Sequence, residues 1–497
     1  MKNYDVIIVG NGILALSLVH QLNKLDPSLK IAVIGPDSRS HSSTLAAGAM
    51  LGCFGELTAV SKTSKAGQEK FNISLEALKK WPDWIQKLNA QLPDNEQITV
   101  NQGTNIILNA RSGSLDEANF LAILNTLKEY KEPFEEIDPR TIPGLDPHPN
   151  YRPLRALHIP NEGSVDVNVL MNTLQKIAQD SEKITWINDV VKNLSVLSNN
   201  IKNIETSSGN CYQAKQVVIA AGASSQNILD SLPDLAKRIP RLFPGIGASL
   251  VVKAEKVLTH QQVIRTPNRS FACGFHVIPR GPHIFYMGAT NNVTLFHESA
   301  PRLGLLQFLL NNAVEQVSQE FHSAKILSLI TGSRPVSLDT YPLLGATSLE
   351  GLWMLTGTYR DGLHQSPYLA DQLAHDILNN HKTPHIFSPE RLPLQAMNKN
   401  DAIEQGLQHY LSGAYEHGME LPKVGWDKMF KEMLRDKIEK IYAQLDQNFI
   451  LPPDLLLMFD DDFAQSLAIV NHCYAELKVS HQEHPAENIQ ILSQEVT

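Results

Sequence analysis

The sequence predicts an α/β protein in which a domain with a parallel sheet is interleaved with an α+β domain with an antiparallel sheet, followed by a helical extension. Three observations in this chain of 497 residues predict the arrangement. A strand, a glycine turn and a helix follow one another at residues 5–20, and the same order returns at residues 351–378. Short strand-like runs fill much of the chain between them, and apolar residues at helical spacing recur in residues 398–497.

The first element, residues 5–20, has the pattern of a buried strand that ends in a glycine turn and continues as a helix. Gly10 permits the sharp turn, Gly12 lets backbone N–H groups approach a pyrophosphate, and Ala15 lets the helix pack closely on its strand. Residues 30–34 supply a second apolar strand one helix length later, which completes a βαβ unit. A purely structural turn is the alternative, but the βαβ context favours a dinucleotide with its phosphates at the helix N-terminus.

The second strand, glycine loop and helix, at residues 351–378, indicate which dinucleotide is bound. Ser366 is the predicted N-cap of this helix and Pro367 its first helical residue. The predicted apolar face of the helix consists of Leu369, Leu373 and Ile377. One helix N-terminus would hold a pyrophosphate and the other could stabilise negative charge on a reduced flavin ring, whereas NAD needs only the first. The pair therefore predicts FAD.

With these residues the chain resembles the FAD-dependent D-amino-acid oxidase superfamily, and within it the glycine oxidase and sarcosine oxidase branch. The resemblance implies a glutathione-reductase-type Rossmann domain for FAD, formed by residues 1–95, 160–230 and 335–385. It implies an antiparallel-sheet substrate domain formed by residues 96–159 and 231–334. The resemblance ends near residues 387–391, so the helical extension at 398–497 lies outside it.

The resemblance implies FAD contacts in several stretches of the chain. We expect them from Gly10, Gly12, Ile13, Leu14, Asp37, Ser43, Thr44, Ala47, Met50, Leu51, Val190, Ala221, Gly222, Gly357, Arg360, Asp361, Gly362, Leu363, His364 and Gln365. Residues 43–52 look like the family's Ser/Thr-Ala-Ala-Gly-Met segment, which passes the flavin ring, although a packed helix start is the alternative. Gly35 stands close to where this fold usually places a ribose-binding acid, so Asp37 is either that acid or a turn residue. The assignment of Val190, whose equivalent contacts the adenine through its backbone, depends on the resemblance alone.

The segments between the two glycine turns are expected to complete both domains. We predict a helix at 63–92 and strands at 98–108, 184–187, 190–197, 201–206, 216–222, 246–253, 275–278, 283–288 and 326–330. Residues 139–153, rich in Pro and Asp, are predicted to form a loop that crosses between the domains, and residues 162–166 the return into the FAD domain. Residues 301–320 are predicted to form one long helix against the second sheet, which would roof the flavin ring.

Two arginines are candidates for holding a substrate carboxylate, because a planar guanidinium offers a carboxylate two parallel donors. Arg334 precedes Pro335 in a stretch similar to the family's Leu-Arg-Pro-x-Thr-x-Asp-x-x-Pro motif, whose arginine grips the substrate carboxylate. Arg360 lies in a stretch similar to the family's His-x-Arg-Asn-Gly motif, whose arginine lies near the flavin. An ordinary surface arginine is the alternative in both cases.

His276 is the third catalytic candidate and stands where glycine oxidase carries a tyrosine that helps to hold the carboxylate. The histidine could donate the same hydrogen bond, make binding depend on pH near neutrality, or be a satisfied core residue. No general base stands out in the sequence. None is required, because an amine that arrives neutral can give up its hydride directly.

The resemblance implies an FAD-dependent oxidase of a small amino acid or secondary amine. Hydride would pass from the carbon next to nitrogen to flavin N5, the imine product would hydrolyse, and molecular oxygen would reoxidise the flavin to give hydrogen peroxide. A dehydrogenase that passes electrons to a quinone or partner protein is the alternative within enzymes. A tRNA-modifying flavoenzyme has no support from the charge, and a flavin-binding assembly subunit without catalysis is the alternative outside enzymes.

Composition restricts the remaining possibilities. The net charge of -9 and the absence of a long basic run argue against nucleic acid as a partner. No apolar run is long enough to span a membrane, and the first strand begins at once, so we expect a cytoplasmic protein. The four cysteines lack metal-ligand spacing, so free thiols and no metal are expected, and Cys53 is expected to be inert rather than joined to FAD.

The extension at residues 398–497 is the part whose role the sequence leaves open. Gly425 is predicted to precede one helix, another is predicted from 463 onwards, and Asp460, Asp461 and Asp462 are predicted to cap that later helix. The extension could be a lid, a homo-oligomer interface or a docking surface for a protein partner.

Overall fold

The computed structural model describes residues 2–256, 261–271, 273–416, 419 and 425–483. Its helices are α1 (Ile13–Leu25), α2 (Lys65–Asn89), α3 (Ser114–Tyr130), α4 (Val167–Gln179), α5 (Ser225–Leu229), α6 (Pro233–Ala236), α7 (Leu303–Asn312), α8 (Gly362–Asn379), α9 (Lys399–Glu416), α10 (Trp426–Gln444), α11 (Met458–Asp461) and α12 (Phe463–Glu483). Its strands are β1 (Lys2–Val9), β2 (Ile31–Ile34), β3 (Met50–Leu51), β4 (Val100–Asn109), β5 (Glu135–Ile137), β6 (Pro153–Val165), β7 (Ile184–Ile187), β8 (Val191–Leu197), β9 (Asn200–Thr206), β10 (Cys211–Ile219), β11 (Leu242–Lys253), β12 (Val263–Arg265), β13 (His276–Pro279), β14 (Ile284–Gly288), β15 (Asn292–Val293), β16 (Lys325–Ser337), β17 (Leu343–Ala346) and β18 (Leu352–Thr356). The predicted α/β class is confirmed.

The first sheet has eight strands, six of which follow the order β17-β18-β10-β1-β2-β7. β1 pairs in parallel with β10 on one side and with β2 on the other. Val6 and Ile8 face a core that includes α1 and α8, whereas Ile7 and Val9 face the core on the opposite side. Because both faces of the sheet are covered, its first strand is a continuous apolar run.

The second sheet has ten strands, eight of which follow the order β15-β11-β14-β13-β12-β4-β6-β3. β16 pairs with β11 along almost its whole length in antiparallel register. Among the described strands of this sheet, β4 and β12 are the one parallel pair, and the rest pair as predicted.

The prediction for residues 139–153 was wrong. The strand before this loop, β5, pairs with the strand after it, β6, so the loop stays within the second sheet. The return into the first domain begins at Asp166, because β6 keeps residues up to Val165 in the second sheet. Asp166 then caps α4 by accepting hydrogen bonds from the N–H groups of Asn168 and Val169.

The long helix predicted at 301–320 was also wrong. α7 ends at Asn312 and continues as one π-helical turn to Val317, where Ser318 is extended. The cause is a tertiary pairing: Asp146 N–H donates to Val317 O at 2.8 Å, and Gln319 N–H donates to Asp146 O at 2.9 Å. These bonds replace the next helical turn.

The helix after the second glycine loop begins earlier than predicted. α8 starts at Gly362 with Asp361 as its N-cap residue, so Ser366 is not the cap and Pro367 lies inside the helix. Gly357 at φ 72° and Tyr359 at φ 54° reverse the chain before this point, and Gln365 N–H already donates to Asp361 O at 2.8 Å. The helix N-terminus after this loop is therefore at Gly362, one turn earlier than the predicted start at Ser366.

The extension packs on the rest of the molecule through a shared core. Helices α9 to α12 enclose Leu407, Ile438 and Val470 together with Phe243 and Val336 from the second sheet. As predicted, Gly425 precedes a helix, and the Oδ1 of Asp462 accepts from Gln465 N–H at 2.9 Å in the first turn of α12. Residues 417–418, 420–424 and 484–497 of the predicted extension lie outside the described residues. No helix of the described residues has the length and apolar character needed to cross a membrane.

Candidate cofactor and substrate site

A cavity of about 650 Å³ is lined by residues from both sheets and both glycine turns, a size typical of small-molecule and cofactor sites. Its lining includes these residues predicted from the sequence: Gly10, Gly12, Ile13, Leu14, Ser43, Thr44, Ala47, Met50, Val190, Ala221, Gly222, His276, Arg334, Arg360, Asp361, Gly362, Leu363 and His364. Four predicted residues are not in the lining: Asp37, Leu51, Gly357 and Gln365. The structure therefore places most of the predicted stretches of chain around one cavity.

The first glycine turn has the geometry of a phosphate cradle. Gly10 has φ +119°, and a Cβ there would lie 2.3 Å from Ala220 O, so glycine is required. α1 begins after Gly12, which has no side chain to cap the helix. Thr44 binds this turn by accepting the N–H of Ile13 on its Oγ1 at 3.2 Å. The helix N-terminus thus faces the cavity with its positive end.

The turn after β2, where a ribose-binding acid was expected, has no room for an acidic side chain at residue 35. The Asn11 side chain donates from Nδ2 to Pro36 O at 2.9 Å, and a Cβ on Gly35 would lie 2.7 Å from Asn11 Cγ. Asp37 points away, with its Oδ1 accepting from Trp186 Nε1 at 2.8 Å. The structure favours the turn interpretation of Asp37.

The start of α8 forms the other end of the cradle. Gly362, Leu363 and His364 line the cavity at a helix end without a side-chain cap. The Nε2 of Gln365 instead donates to Ser74 Oγ at 2.8 Å, towards α2. Gly357 does not line the cavity, but its φ of 72° sets the course of the loop that leads to α8.

Leu51 contributes to the core rather than to the cavity. Its strand β3 pairs with β6, and its side chain is buried in the core that contains α1. Gly48 precedes this strand and lies close against the second sheet, since a Cβ on it would meet Ile278 Cδ1 at 2.7 Å and His276 Nε2 at 3.0 Å. Because Gly48 has no side chain, its backbone can pack this closely on the second sheet, and a bare backbone of this kind also suits a flat ligand.

The two predicted arginines meet in the same cavity. The Nη1 of Arg334 donates to Thr290 O at 2.9 Å and to Asn291 Oδ1 at 3.2 Å. A Cβ on Gly247 would lie 2.2 Å from this Nη1, so Gly247 makes the space for the guanidinium. The Cζ of Arg360 lies 5.0 Å from the ring centroid of Tyr359. Neither arginine forms an ion pair with a carboxylate among the described residues.

His276 lines the cavity but cannot play the donor role considered for it. Its Nδ1 lies 2.9 Å from Gly274 O, and a carbonyl only accepts, so Nδ1 carries the proton. Burial lowers the pKa of His276 to about 4, so the ring is neutral at pH 7 and its Nε2 is an acceptor. That Nε2 has no hydrogen-bond partner among the described residues. Neither donation to a carboxylate nor titration near neutrality is therefore expected.

A buried ion pair in the lining was missed from the sequence. Glu56 lines the cavity, and its Oε1 accepts from Arg265 Nη1 while its Oε2 accepts from Asn268 Nδ2 at 3.2 Å. Burial acts to raise the pKa of Glu56, but the Arg265 guanidinium outweighs it and lowers the pKa to about 2. A permanent negative charge thus stands in the same cavity as Arg334.

Among the residues that the structure describes, the thiols and the acidic groups form no metal site. All four cysteines are free, and burial raises the pKa of Cys53 well above its usual value, which makes it an inert thiol. Within the described part of the chain, no cluster of His, Cys, Asp and Glu could hold a metal ion.

Fold and cavity together define a flavin-dependent oxidoreductase. The profile of the DAO family, described as FAD dependent oxidoreductase, matches residues 5–375, so the chain belongs to this family of FAD-dependent oxidoreductases. The cavity fits FAD, because the N-terminal turns of α1 and α8 both line it, one suited to a pyrophosphate and the other to negative charge on a flavin ring.

Individual relatives are distant. The bifunctional protein ThiO/ThiG of Trichormus variabilis is 24% identical over 400 residues, covering 79% of this chain and 56% of the relative. A D-amino acid dehydrogenase of Neisseria gonorrhoeae is 24% identical over 262 residues, covering 52% of this chain and 59% of the relative. The chain thus matches between half and two thirds of the length of these relatives. The solved glycine oxidase from Geobacillus kaustophilus has a TM-score of 0.65 and 22% identity, covering 79% of this chain and 99% of that one.

Proposed function

We propose that the chain is an FAD-dependent oxidase of a small amino acid or N-alkyl amino acid. The observation that carries the proposal is the Arg334 guanidinium, which lines the cavity of both glycine turns and has no carboxylate partner among the described residues. A half-buried guanidinium held by carbonyl oxygens retains donors for a carboxylate from outside. Substrates with a carboxylate next to the amine are therefore favoured over simple amines.

Charge also supports an amine at the other end of the substrate. Glu56 stays ionised at pH 7 because Arg265 lowers its pKa to about 2, and 22% of its side-chain surface remains exposed. An ionised carboxylate in this position can accept a hydrogen bond from the substrate nitrogen, while Arg334 binds the substrate carboxylate. Together they would orient the carbon between the two groups.

FAD, when bound, supplies the hydride acceptor for that carbon. The residues around it orient the substrate and exclude water, since His276 is 2% exposed and Tyr286 is 3% exposed. Molecular oxygen as the final electron acceptor and a cytoplasmic location are part of the same proposal.

The test is an anaerobic titration of the yellow holoenzyme with glycine, sarcosine and D- and L-amino acids, following loss of flavin absorbance. We expect bleaching by at least one of them, and Arg334→Met should weaken that substrate by about 100-fold, because loss of one partner of a buried charged contact costs about 2–5 kcal/mol. Arg302→Met, which removes an exposed arginine, is the control. Wild-type substrate affinity in Arg334→Met would contradict the proposal.

Admission of air separates the oxidase from its alternative. Prompt return of flavin colour with one hydrogen peroxide per turnover supports the oxidase. Colour that returns only with a quinone or dye identifies a dehydrogenase, the activity in the name of the Neisseria relative.

A further inference from the structure

A line of hydrogen bonds connects the Arg334 guanidinium to the C-terminal extension. The Nη1 of Arg334 donates to Asn291 Oδ1 at 3.2 Å, and Asn291 Nδ2 donates to the Tyr359 hydroxyl oxygen at 2.8 Å. The Tyr359 hydroxyl in turn donates to Asp454 Oδ1 at 3.2 Å. The side chains of Arg334, Asn291 and Tyr359 therefore connect the cavity to the Asp454 carboxylate, which lies 95 residues after Tyr359 in the sequence.

The direction of these bonds is set by their two ends. A guanidinium only donates and a carboxylate only accepts, so both groups between them have one compatible orientation. The Tyr359 hydroxyl must point its proton at Asp454, which leaves its oxygen to accept from Asn291. Burial and the Asp454 charge raise the pKa of Tyr359, so the hydroxyl keeps its proton.

The donor and acceptor directions in this chain of hydrogen bonds determine how the Asn291 amide is placed. With its Nδ2 occupied by Tyr359 and by Phe271 O at 2.9 Å, its Oδ1 faces Arg334. Without the Asp454 carboxylate, the Tyr359 proton is free to point at Asn291 Nδ2, which is also a donor, so the hydrogen bond between the two side chains is lost. Phe271 O alone would then hold the Nδ2 side of the amide, so Asn291 Oδ1 would be less firmly placed against the guanidinium.

The Asp454 carboxylate is itself firmly placed. It lies in a 3₁₀ turn, Pro453–Leu455, between α10 and α11, where Pro453 and Leu455 are buried. Tyr359 is held in a left-handed conformation at φ 54°, a geometry that persists only where its surroundings fix it. Its ring also carries the Arg360 guanidinium at 5.0 Å.

We propose that the extension completes the substrate site, with Asp454 as a positioning residue that orients Tyr359 and Asn291 and so fixes Arg334 for carboxylate binding. The carboxylate comes from outside the family match at residues 5–375. This inference deepens the proposed function and rests on it.

The experiment measures the dissociation constant of acetate, a carboxylate without an amine, for holoenzyme variants by isothermal titration calorimetry. We expect Asp454→Ala and Tyr359→Phe each to weaken acetate about tenfold, and the double variant to weaken it no more than either alone, because the residues act in series. Asp454→Asn should stay within about threefold of wild type, since an amide oxygen also accepts from Tyr359.

The extension offers a matched control pair. The Tyr410 hydroxyl donates to Asp460 Oδ1 at 3.0 Å, the same type of bond away from the cavity lining. Tyr410→Phe and Asp460→Ala should leave acetate affinity at the wild-type value. Weakening by these controls equal to that of Asp454→Ala would mean a general effect on the extension and would overturn the proposal.

The remaining outcomes separate the two levels of inference. If wild type does not bind acetate, or Arg334→Met binds it equally well, the carboxylate site itself is refuted. If Arg334→Met loses acetate while Tyr359→Phe and Asp454→Ala keep it, the site stands and the positioning role of Asp454 is refuted. Should Asp454→Ala fail to fold, Tyr359→Phe decides alone.

Discussion

At the scale of single residues, the site depends on positions where a side chain is excluded. Gly10→Ala should abolish FAD binding, because the new Cβ would lie 2.3 Å from Ala220 O at a φ of +119°. We expect colourless protein, measured by flavin absorbance after reconstitution, with a clear loss of thermal stability.

Gly209→Ala is the control for backbone strain. Gly209 also has positive φ, at +79°, but a Cβ there meets nothing within 4 Å. This variant should cost only about 1 kcal/mol and bind FAD normally. Full FAD binding by Gly10→Ala would contradict the cradle.

Single residues also show where sequence reasoning succeeds and fails. Arg334 and Arg360 were predictable because local motifs carry them. Glu56 was not, because its partner Arg265 lies 209 positions away and only the folded sheet brings the two together. Asp37 was uncertain for a similar reason: Asn11, from the opposite side of the turn, fills the place of the missing acid.

At the scale of elements, two ion pairs attach the extension to the second domain in different environments. Arg269 is buried and lies between two carboxylates. Its Nε is 2.6 Å from Glu416 Oε1 of α9, although the angle does not suit a hydrogen bond, and its Nη1 is 3.7 Å from Asp116 Oδ1. Arg302 is 42% exposed and pairs with Asp461 of α11 at 2.6 Å.

These pairs make a matched test of burial. Arg269→Met should lower the free energy of unfolding by about 3 kcal/mol, since it strands two buried carboxyl groups. Burial raises the pKa of Glu416 to about 7, so proton uptake there limits the loss. Arg302→Met should cost less than about 1 kcal/mol. Denaturant unfolding of both variants would show it, and equal losses would speak against the buried role of Arg269.

Element boundaries were the part of the fold that the sequence predicted least well. Most strands and α1 were predicted within a few residues, because apolar runs and glycine turns are local signals. The start of α8 and the end of α7 were not, since Tyr359 adopts a left-handed conformation and Asp146 pairs with the chain on both sides of Ser318. Such tertiary effects leave no local pattern.

At the scale of the whole molecule, buried histidines make stability depend on pH. Burial lowers the pKa of His20, His276 and His409 to about 4 each, from 6.5. Between these values the unfolded chain binds protons that the folded chain does not, so these groups lower stability as pH falls from 6.5 to 4.

His20 tests this linkage away from the cavity. His20→Leu should reduce the slope of unfolding free energy against pH in that window by at most about 1.4 kcal/mol per unit, the value for one proton. His472→Leu, at an exposed position, is the control for the general effect of replacing a histidine by leucine. An identical slope for His20→Leu and wild type would rule out the assignment.

We expect the extension at residues 398–497 to be required for the solubility or the acetate affinity of the protein. Deleting residues 398–497 would expose Phe243, Phe271 and Val336, which are buried in the core shared with α9 to α12. We expect aggregation or loss of acetate affinity, measured by light scattering and calorimetry. A monodisperse truncated protein with wild-type acetate affinity would show that the extension serves only assembly.

The strand order of the first sheet has a consequence for biosynthesis. β1 is synthesised well before its neighbour β10 and before β18, so the sheet on that side is completed late, and the second half of the cradle forms only with α8. A nascent chain stopped short of Gly362 lacks that half. We therefore expect FAD to bind only after α8 has been synthesised, and β1 to stay without its partner β10 until that strand has been synthesised in turn.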